Sequence, residues 1–353
     1  MTSELGSLLA DTVTRLFNDL ATKELIESAE KGAWPDKLWR ALEEGGLTLP
    51  LVPESAGGAA GTWLDAHVVV RASGRHTAPV PLAETIIAGW LLSRAGLEVP
   101  LGPLTLAPVH EDERLTLARG GGGFAVSGTA TRVPWGRHAG HVVTLSEADG
   151  RATIALIPGG RARITEDTNL AREPRDTLVF DKAPVLAAAP AAGVPADAIR
   201  LYGAMARAAQ MAGALESCLE QAVRYATERK QFGRPIGSFQ AIQQSLAVLA
   251  GHVAASGIAA ESAFRAADRG DARFEVAAAK VRVGEAAGIG AGIAHQSHGA
   301  IGFTYEHSLH FATRRLWSWR AEFGSESAWA RDLGRAVVGR GADDLWPMLT
   351  ERP

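Results

Sequence analysis

The apolar positions change rhythm twice along the chain, and each change marks a different kind of secondary structure. Leu8, Leu9, Val13, Leu16, Phe17 and Leu20 recur at helical spacing. Leu38, Trp39 and Leu42 form a second stripe, which Gly45 and Gly46 end in the manner of a left-handed glycine cap. Residues 50–61 are rich in Pro and Gly and read as a loop, with helices expected after it over 62–74 and 82–95. Near Pro103 the period falls to two. Short β-branched runs follow at 115–118, 123–127, 141–145, 152–157 and 177–180, parted by glycine turns at 120–123 and at Gly159 and Gly160. Residues 187–194 are mostly Ala and Pro and read as a linker. From Ala196 the helical rhythm returns. Leu201, Ala204, Ala208, Met211, Leu215, Leu219, Ala222 and Ala226 line one face of about seven turns. Phe239, Ile242, Leu246, Leu249 and Val253 begin a second long helix, helical sequence continues to Gly292, and later helices are expected at 306–323 and 328–338. Helices, then strands, then helices predict an α+β chain. Its parts are an N-terminal helical domain (1–100), a small antiparallel β sandwich or barrel (101–190) and a C-terminal helical bundle (191–353).

Composition narrows the function classes. A length of 353 residues allows two or three cores, and 46% hydrophobic with 21% charged residues excludes a disordered chain. A net charge of −3 argues against a nucleic-acid binder, which needs clustered Lys and Arg. The single cysteine, Cys218, excludes an internal disulfide framework and fits a reducing compartment. No uninterrupted apolar run reaches ~18 residues, and Glu4 and Asp11 stand where a secretory signal would be basic and then apolar. The expectation is a cytoplasmic protein without a membrane span.

Two segments carry chemistry. Arg229-Lys230-Gln231-Phe232-Gly233-Arg234-Pro235-Ile236-Gly237 closes one helix and leads into Ser238-Phe239-Gln240. Arg offers a planar fork that suits a pyrophosphate, Gln adds an amide and Phe a flat face. The plainer alternative is a solvated helix end whose Arg satisfies terminal carbonyls. The second segment is His295-Gln296-Ser297-His298-Gly299-Ala300-Ile301-Gly302-Phe303, where the glycines let backbone approach a partner and Gln296 can bond a polar ligand. His295 and His298 lack a third ligand and make a poor metal site.

The first segment, with its Gly/Pro bend and the following Ser-Phe-Gln-Ala-Ile-Gln, resembles the C-terminal domain of the acyl-CoA dehydrogenase family. The second is similar to that family's Gln-x-x-Gly-Gly-x-Gly-Phe loop, with His298 read in place of the first glycine of the pair. The α–β–α order is also that of the family, so the resemblance spans nearly the whole chain, specific at the C-terminal end and architectural elsewhere. It implies an acyl-CoA dehydrogenase-like fold with a C-terminal four-helix bundle. It further implies FAD as cofactor, α,β-dehydrogenation of an acyl-CoA thioester, an electron-transfer flavoprotein as acceptor, and a homo- or hetero-tetramer. By the same resemblance, Arg229, Gln231, Phe232, Gln296, Gly299 and Gly302 contact the ADP portion of an FAD held by a neighbouring subunit.

The family reaction needs a carboxylate in a dry pocket with its pKa raised. In many members this Glu follows the Gly-Phe motif by about twenty residues, and gapless counting lands on Phe323, preceded by Glu322. Glu322 is the candidate base and Glu326 a second; the plainer reading is a helix-end carboxylate bound to Arg320 or to solvent. The other family position for the base falls on Gly203, followed by Ala204, and neither can move a proton. Where members cradle their own flavin with Thr-Glu-Pro-x-Ala-Gly-Ser-Asp, this chain has Ala107-Pro108-Val109-His110-Glu111-Asp112-Glu113-Arg114, whose acids would repel a pyrophosphate. The later Trp-Ile-Thr-Asn-Gly motif becomes Arg132-Val133-Pro134-Trp135-Gly136, and Trp135 reads as packed beneath a turn. Three readings stay open. The chain is one subunit of a heteromeric dehydrogenase that completes its partner's FAD site, a homotetrameric enzyme with Glu322 as base, or a non-catalytic scaffold of the same fold. Trp317, Trp319 and Trp329, interleaved with arginines, read as packing, and Cys218 as an inert thiol.

Overall fold

The computed structural model describes residues 3–120 and 123–351, so Gly121 and Gly122 of the expected glycine turn lie outside the described residues. Five helices come first: α1 (Glu4–Leu20), α2 (Lys23–Glu30), α3 (Asp36–Glu44), α4 (Trp63–Arg75) and α5 (Leu82–Arg94). Their starts are set locally. Ser3 caps α1 through Gly6 N–H, Thr22 caps α2 through Leu25 N–H, and Thr62 with Asp65 forms a reciprocal capping box on α4. Gly46, at φ +67°, ends the α3 region as a left-handed cap.

Eight strands follow: β1 (Leu104–Leu106), β2 (Thr116–Gly120), β3 (Gly123–Pro134), β4 (His141–Ala148), β5 (Arg151–Pro158), β6 (Arg163–Thr165), β7 (Arg175–Pro184) and β8 (Ala187–Pro190). They form two four-stranded sheets, ordered β1-β4-β5-β8 and β2-β3-β7-β6. Alternation along β4 and β5 splits their side chains between two cores. Val142, Ala155 and Ile157 face the second sheet, while Val143, Ile154 and Leu156 join the helical core. Two expectations are corrected. β1 pairs with β4 in parallel, so the domain is not purely antiparallel. The supposed linker contributes β8, because small alanines pair along the β5 edge without bulk to clash.

The C-terminal part holds α6 (Ala198–Glu228), a two-stranded hairpin of β9 (Lys230–Gln231) and β10 (Arg234–Pro235), then α7 (Gln240–Arg269), α8 (Arg273–His298), α9 (Leu309–Trp319), α10 (Glu326–Arg340) and α11 (Leu345–Thr350). α6 is the axis of the bundle: from Leu201 to Leu215 every residue is buried. α7 differs. It contains an 18-residue window of mean hydropathy 1.3 of which only 28% is buried, long and apolar enough by length and composition to cross a bilayer. Val248 is 52% and Ile258 72% exposed on its outer face. The absence of an uninterrupted apolar run therefore hid a helix with an apolar, uncovered side.

Candidate functional site

α6 runs out at Glu228, and the chain turns extended at Arg229. Gln231 pairs with Arg234, and between them Phe232 and Gly233 both take left-handed φ values, +52° and +79°. That is the twist of a type I′ two-residue hairpin, and glycine supplies half of it without strain. Ile236 N–H closes the hairpin onto the Arg229 carbonyl at 2.8 Å. The segment read as a Gly/Pro bend is thus a rigid hairpin with Phe232 at its tip, 92% exposed. Phe239 backs it, edge-on to Phe232 at 6.1 Å and under the Arg234 guanidinium at 4.3 Å. Arg229 and Gln231 are exposed beside it.

The second segment is helical for longer than expected, since α8 continues to His298 and a 3-10 turn spans Gly299–Phe303. Gln296 is exposed on the last turn of α8. Gly299 sits at φ +61° with nothing within 4 Å of where a Cβ would stand, so its backbone is open to a ligand. Gly302 is buried, and a Cβ there would meet His298 Cβ at 2.9 Å. It seats the turn on α8 and offers no surface, which corrects its expected ligand contact. Counted from Gln296, the family's glycine pair falls on Gly299 and Ala300, so the replaced glycine is Ala300 and not His298. The two segments meet: Tyr225, one turn before Arg229, stacks on His298 at 4.7 Å, and Ser308 donates to Gln221 of α6 at 3.1 Å.

Between α9 and α10 lies the turn that carries Glu322. Its carboxylate accepts from Arg175 Nε at 2.7 Å, from Arg175 Nη2 at 3.1 Å, from Arg207 Nε at 2.7 Å and from Asn169 Nδ2 at 3.3 Å. Burial pushes the carboxyl up, but the two guanidiniums outweigh it and hold the group down at about 2. A base requires the reverse, so the expectation of Glu322 as proton acceptor is corrected by its partners. The pairing extends further. Arg207 also binds Glu84 at 2.5 Å, Arg175 binds Glu173 at 2.9 Å, Arg315 binds Glu173 at 3.0 Å, and Arg314 binds Glu30 at 2.7 Å. Four carboxylates meet four guanidiniums in a neutral network tying α2, α5, β7, α6, α9 and the 322 turn together. Lys280 has no carboxylate partner among the described residues and donates to the Trp319 and Arg320 carbonyls at 3.1 and 2.9 Å; burial lowers it to about 7.

Phe323 and Gly203, the two places where counting lands, are neighbours. A Cβ on Gly203 would lie 2.3 Å from the Phe323 ring. Phe323 itself takes φ +54°, and its carbonyl accepts from Trp329 Nε1 at 3.0 Å. A phenyl ring fills the space where either family carboxylate would stand. Glu326 pairs with Arg320 on the solvent side of this turn.

A cleft of about 850 Å³ separates the second sheet from the start of α6. Its cations are committed: Arg200 to Asp332 at 2.6 Å, Arg273 to Asp197 at 2.5 Å, and Arg114 to the Glu111 and Glu113 carbonyls. Glu113 takes up the backbone N–H of Thr131 at 3.0 Å. These residues do not fit a dinucleotide. Trp135 is buried, its backbone N–H bonded to the Pro174 carbonyl at 3.0 Å, so it packs under its turn. Sequence reasoning missed Arg175, Arg207 and Glu84; the one available signal was Arg207, a charge inside the apolar stripe of α6.

Comparison with known proteins agrees with this architecture. The family profile described as "Acyl-CoA dehydrogenase, N-terminal domain" matches residues 3–99, and "Acyl-CoA dehydrogenase, C-terminal domain" matches 201–337. The chain is 29% identical over 348 residues to Acyl-CoA dehydrogenase IpdE2 of Mycobacterium tuberculosis, covering 97% of this chain and 98% of that protein. It superposes on a chain of the ChsE4-ChsE5 complex from Mycobacterium tuberculosis with a TM-score of 0.88 and 26% identity, covering 97% of this chain and 99% of the other. The Tcur3481-Tcur3483 steroid ACAD G363A variant gives 0.87 and 25%, covering 96% and 99%. FAD is the cofactor that these likenesses support. The chain belongs to the acyl-CoA dehydrogenase family.

Proposed function

We propose that the chain is the non-equivalent subunit of a heteromeric, FAD-dependent acyl-CoA dehydrogenase, and that it completes a flavin site whose remainder lies on a partner of the same fold. The observation that carries this is an asymmetry within one chain. The surface suited to a neighbour's dinucleotide is preorganised and open, whereas the cleft beside the chain's own 107–114 segment has its cations committed elsewhere and the base position is filled by Phe323. Arg229 and Gln231 would bond the diphosphate and ribose end, Phe232 would lie against a ring, and Gln296 with the Gly299 backbone would meet the dinucleotide from α8. FAD, when bound, supplies hydride acceptance from an acyl thioester. The proton acceptor is assigned to the partner, because Phe323 and Gly203 cannot act and Glu322 is locked by two arginines. α7 offers the apolar face for assembly. The substrate class is an acyl-CoA thioester, with a steroid side chain favoured by the steroid enzyme among the structural relatives.

The scaffold reading shares the missing base. Against it stands the exposure of Phe232, since a phenyl ring 92% in water adds little to packing within its own chain beyond its edge-on contact with Phe239. The test is Arg229→Ala in the complex purified with its partner. Loss of bound FAD with the assembly intact supports the shared site; undiminished FAD supports the scaffold.

A further inference from the structure

The end of the bundle that carries Gly299 also holds four imidazoles, and their bonding leaves three ring nitrogens over. His298 donates Nδ1–H to the Ala294 carbonyl at 2.8 Å, and His310 donates Nδ1–H to the His307 carbonyl at 2.7 Å. Each neutral ring then presents Nε2 as an acceptor, and both atoms are buried with no donor among the described residues. His295 bonds Thr313 Oγ1 through Nε2 at 3.0 Å and leaves Nδ1 in the same state. A buried polar atom without a partner is unfavourable, so three beside one turn need a reason. The rings are in contact: His298 lies edge-on to His307 at 4.5 Å, and Tyr225 touches both, at 4.7 and 6.3 Å.

The charges facing the cluster come from α2, α6 and α9. α2 supplies Lys23, whose Nζ donates to the Glu306 carbonyl at 2.9 Å and lies 3.7 Å from Glu27, and Glu30, which Arg314 of α9 holds at 2.7 Å. α6 supplies Arg224 and the uncharged Tyr225. Burial holds all four rings below the ordinary imidazole value, and for His307 the neighbouring rings, Lys23 and Arg224 add to it. Glu30, the carboxylate acting on His310, is already paired with Arg314, and Lys23 and Arg224 act on His307. Lys23 and Arg224 would favour an anion seated at this end of the molecule.

We propose that the His298–His307 pair takes up a proton when the diphosphate of a dinucleotide seats against the Gly299 turn, which makes these imidazoles positioning residues of the cofactor site. The inference rests on the shared-site reading above. The proton comes from solvent and stays on a ring nitrogen, where it gives an orphaned acceptor its hydrogen. The diphosphate charge compensates it, so binding and protonation favour each other. His298 adjoins Gly299 in the chain.

The test is isothermal titration of FAD into the deflavinated complex at pH 7 in phosphate and in Tris, whose ionisation heats differ. The difference in observed heat gives the protons exchanged. The expected result is uptake of about half a proton, with FAD affinity falling about threefold for each pH step of one between 6 and 8. His298→Asn keeps an N–H for the Ala294 carbonyl and removes the titrating ring; it should still bind FAD with uptake near zero. FAD binding to the native complex without proton exchange overturns the proposal, and this measurement needs no variant to fold. Uptake that persists in both His298→Asn and His307→Asn overturns it as well. Unchanged FAD affinity in Arg229→Ala would instead defeat the shared-site reading, so the two failures are distinguishable.

Discussion

Replacing Glu322 by Gln separates a structural carboxylate from a catalytic one. The native carboxylate sits between Arg175 and Arg207, 12% exposed, and titrates near 2 against an ordinary 4.5. That depression is worth about 3 kcal/mol of folding stability, in line with the roughly 3–5 kcal/mol lost when one partner of a buried pair is removed. With an unfolding entropy of ~2.1 cal/mol/K per residue over 353 residues, the melting temperature should fall by about 4 °C. The sign with pH follows from the lowered carboxyl. Its contribution is complete above pH 4.5 and is lost as pH falls toward 2 through the folded value, and the variant should lack that loss. Thermal melts of the purified chain and acyl-CoA-dependent dye reduction by the complex make the comparison. The structure predicts a lower melting temperature with turnover within a few-fold of native. A general base typically contributes 10²–10⁴-fold. An unchanged melting temperature with turnover lost on that scale would refute the reasoning and restore Glu322 as the base.

Phe232→Ala should leave the isolated chain's stability within about 0.5 kcal/mol, since the ring is 92% exposed, yet weaken FAD retention or assembly by about 2 kcal/mol, roughly thirtyfold; flavin absorbance of the gel-filtered complex reads it. Gly203→Glu should unfold or strongly destabilise the chain instead of installing a base, because its Cβ would sit 2.3 Å from Phe323, and circular dichroism melts check this. Lys280 titrates near 7 in the fold and near 10.5 when unfolded, so native stability should rise from pH 7 to 10.5; Lys280→Met should flatten that rise in denaturant titrations. Cys218, buried and pushed up to about 12, should resist thiol reagents until the chain unfolds.

The periodic parts of the fold were legible because burial and period coincide there: Leu9, Val13 and Phe17 on α1, or Val142 and Ile157 against the second sheet. β8 was not, since alanine carries no strand signal and the edge of β5 made the difference. The hairpin at 230–235 was visible as a motif but not as a hairpin, because Phe at φ +52° is a position that local preference argues against. Gly302 read as a ligand contact because glycine spacing cannot tell open backbone from close packing. Glu322 looked available because its partners Arg175 and Arg207 lie more than a hundred residues away in sequence. Charge pairing across a fold leaves no local trace, and so the site's closure became visible only in three dimensions.

Flavin content, measured on the chain alone and on the complex with its partner, tests the central claim most directly. The expected result is a colourless isolated chain and a yellow complex with one FAD for each pair of unlike subunits. A chain that alone binds one FAD per polypeptide and reduces dye with an acyl-CoA would contradict it.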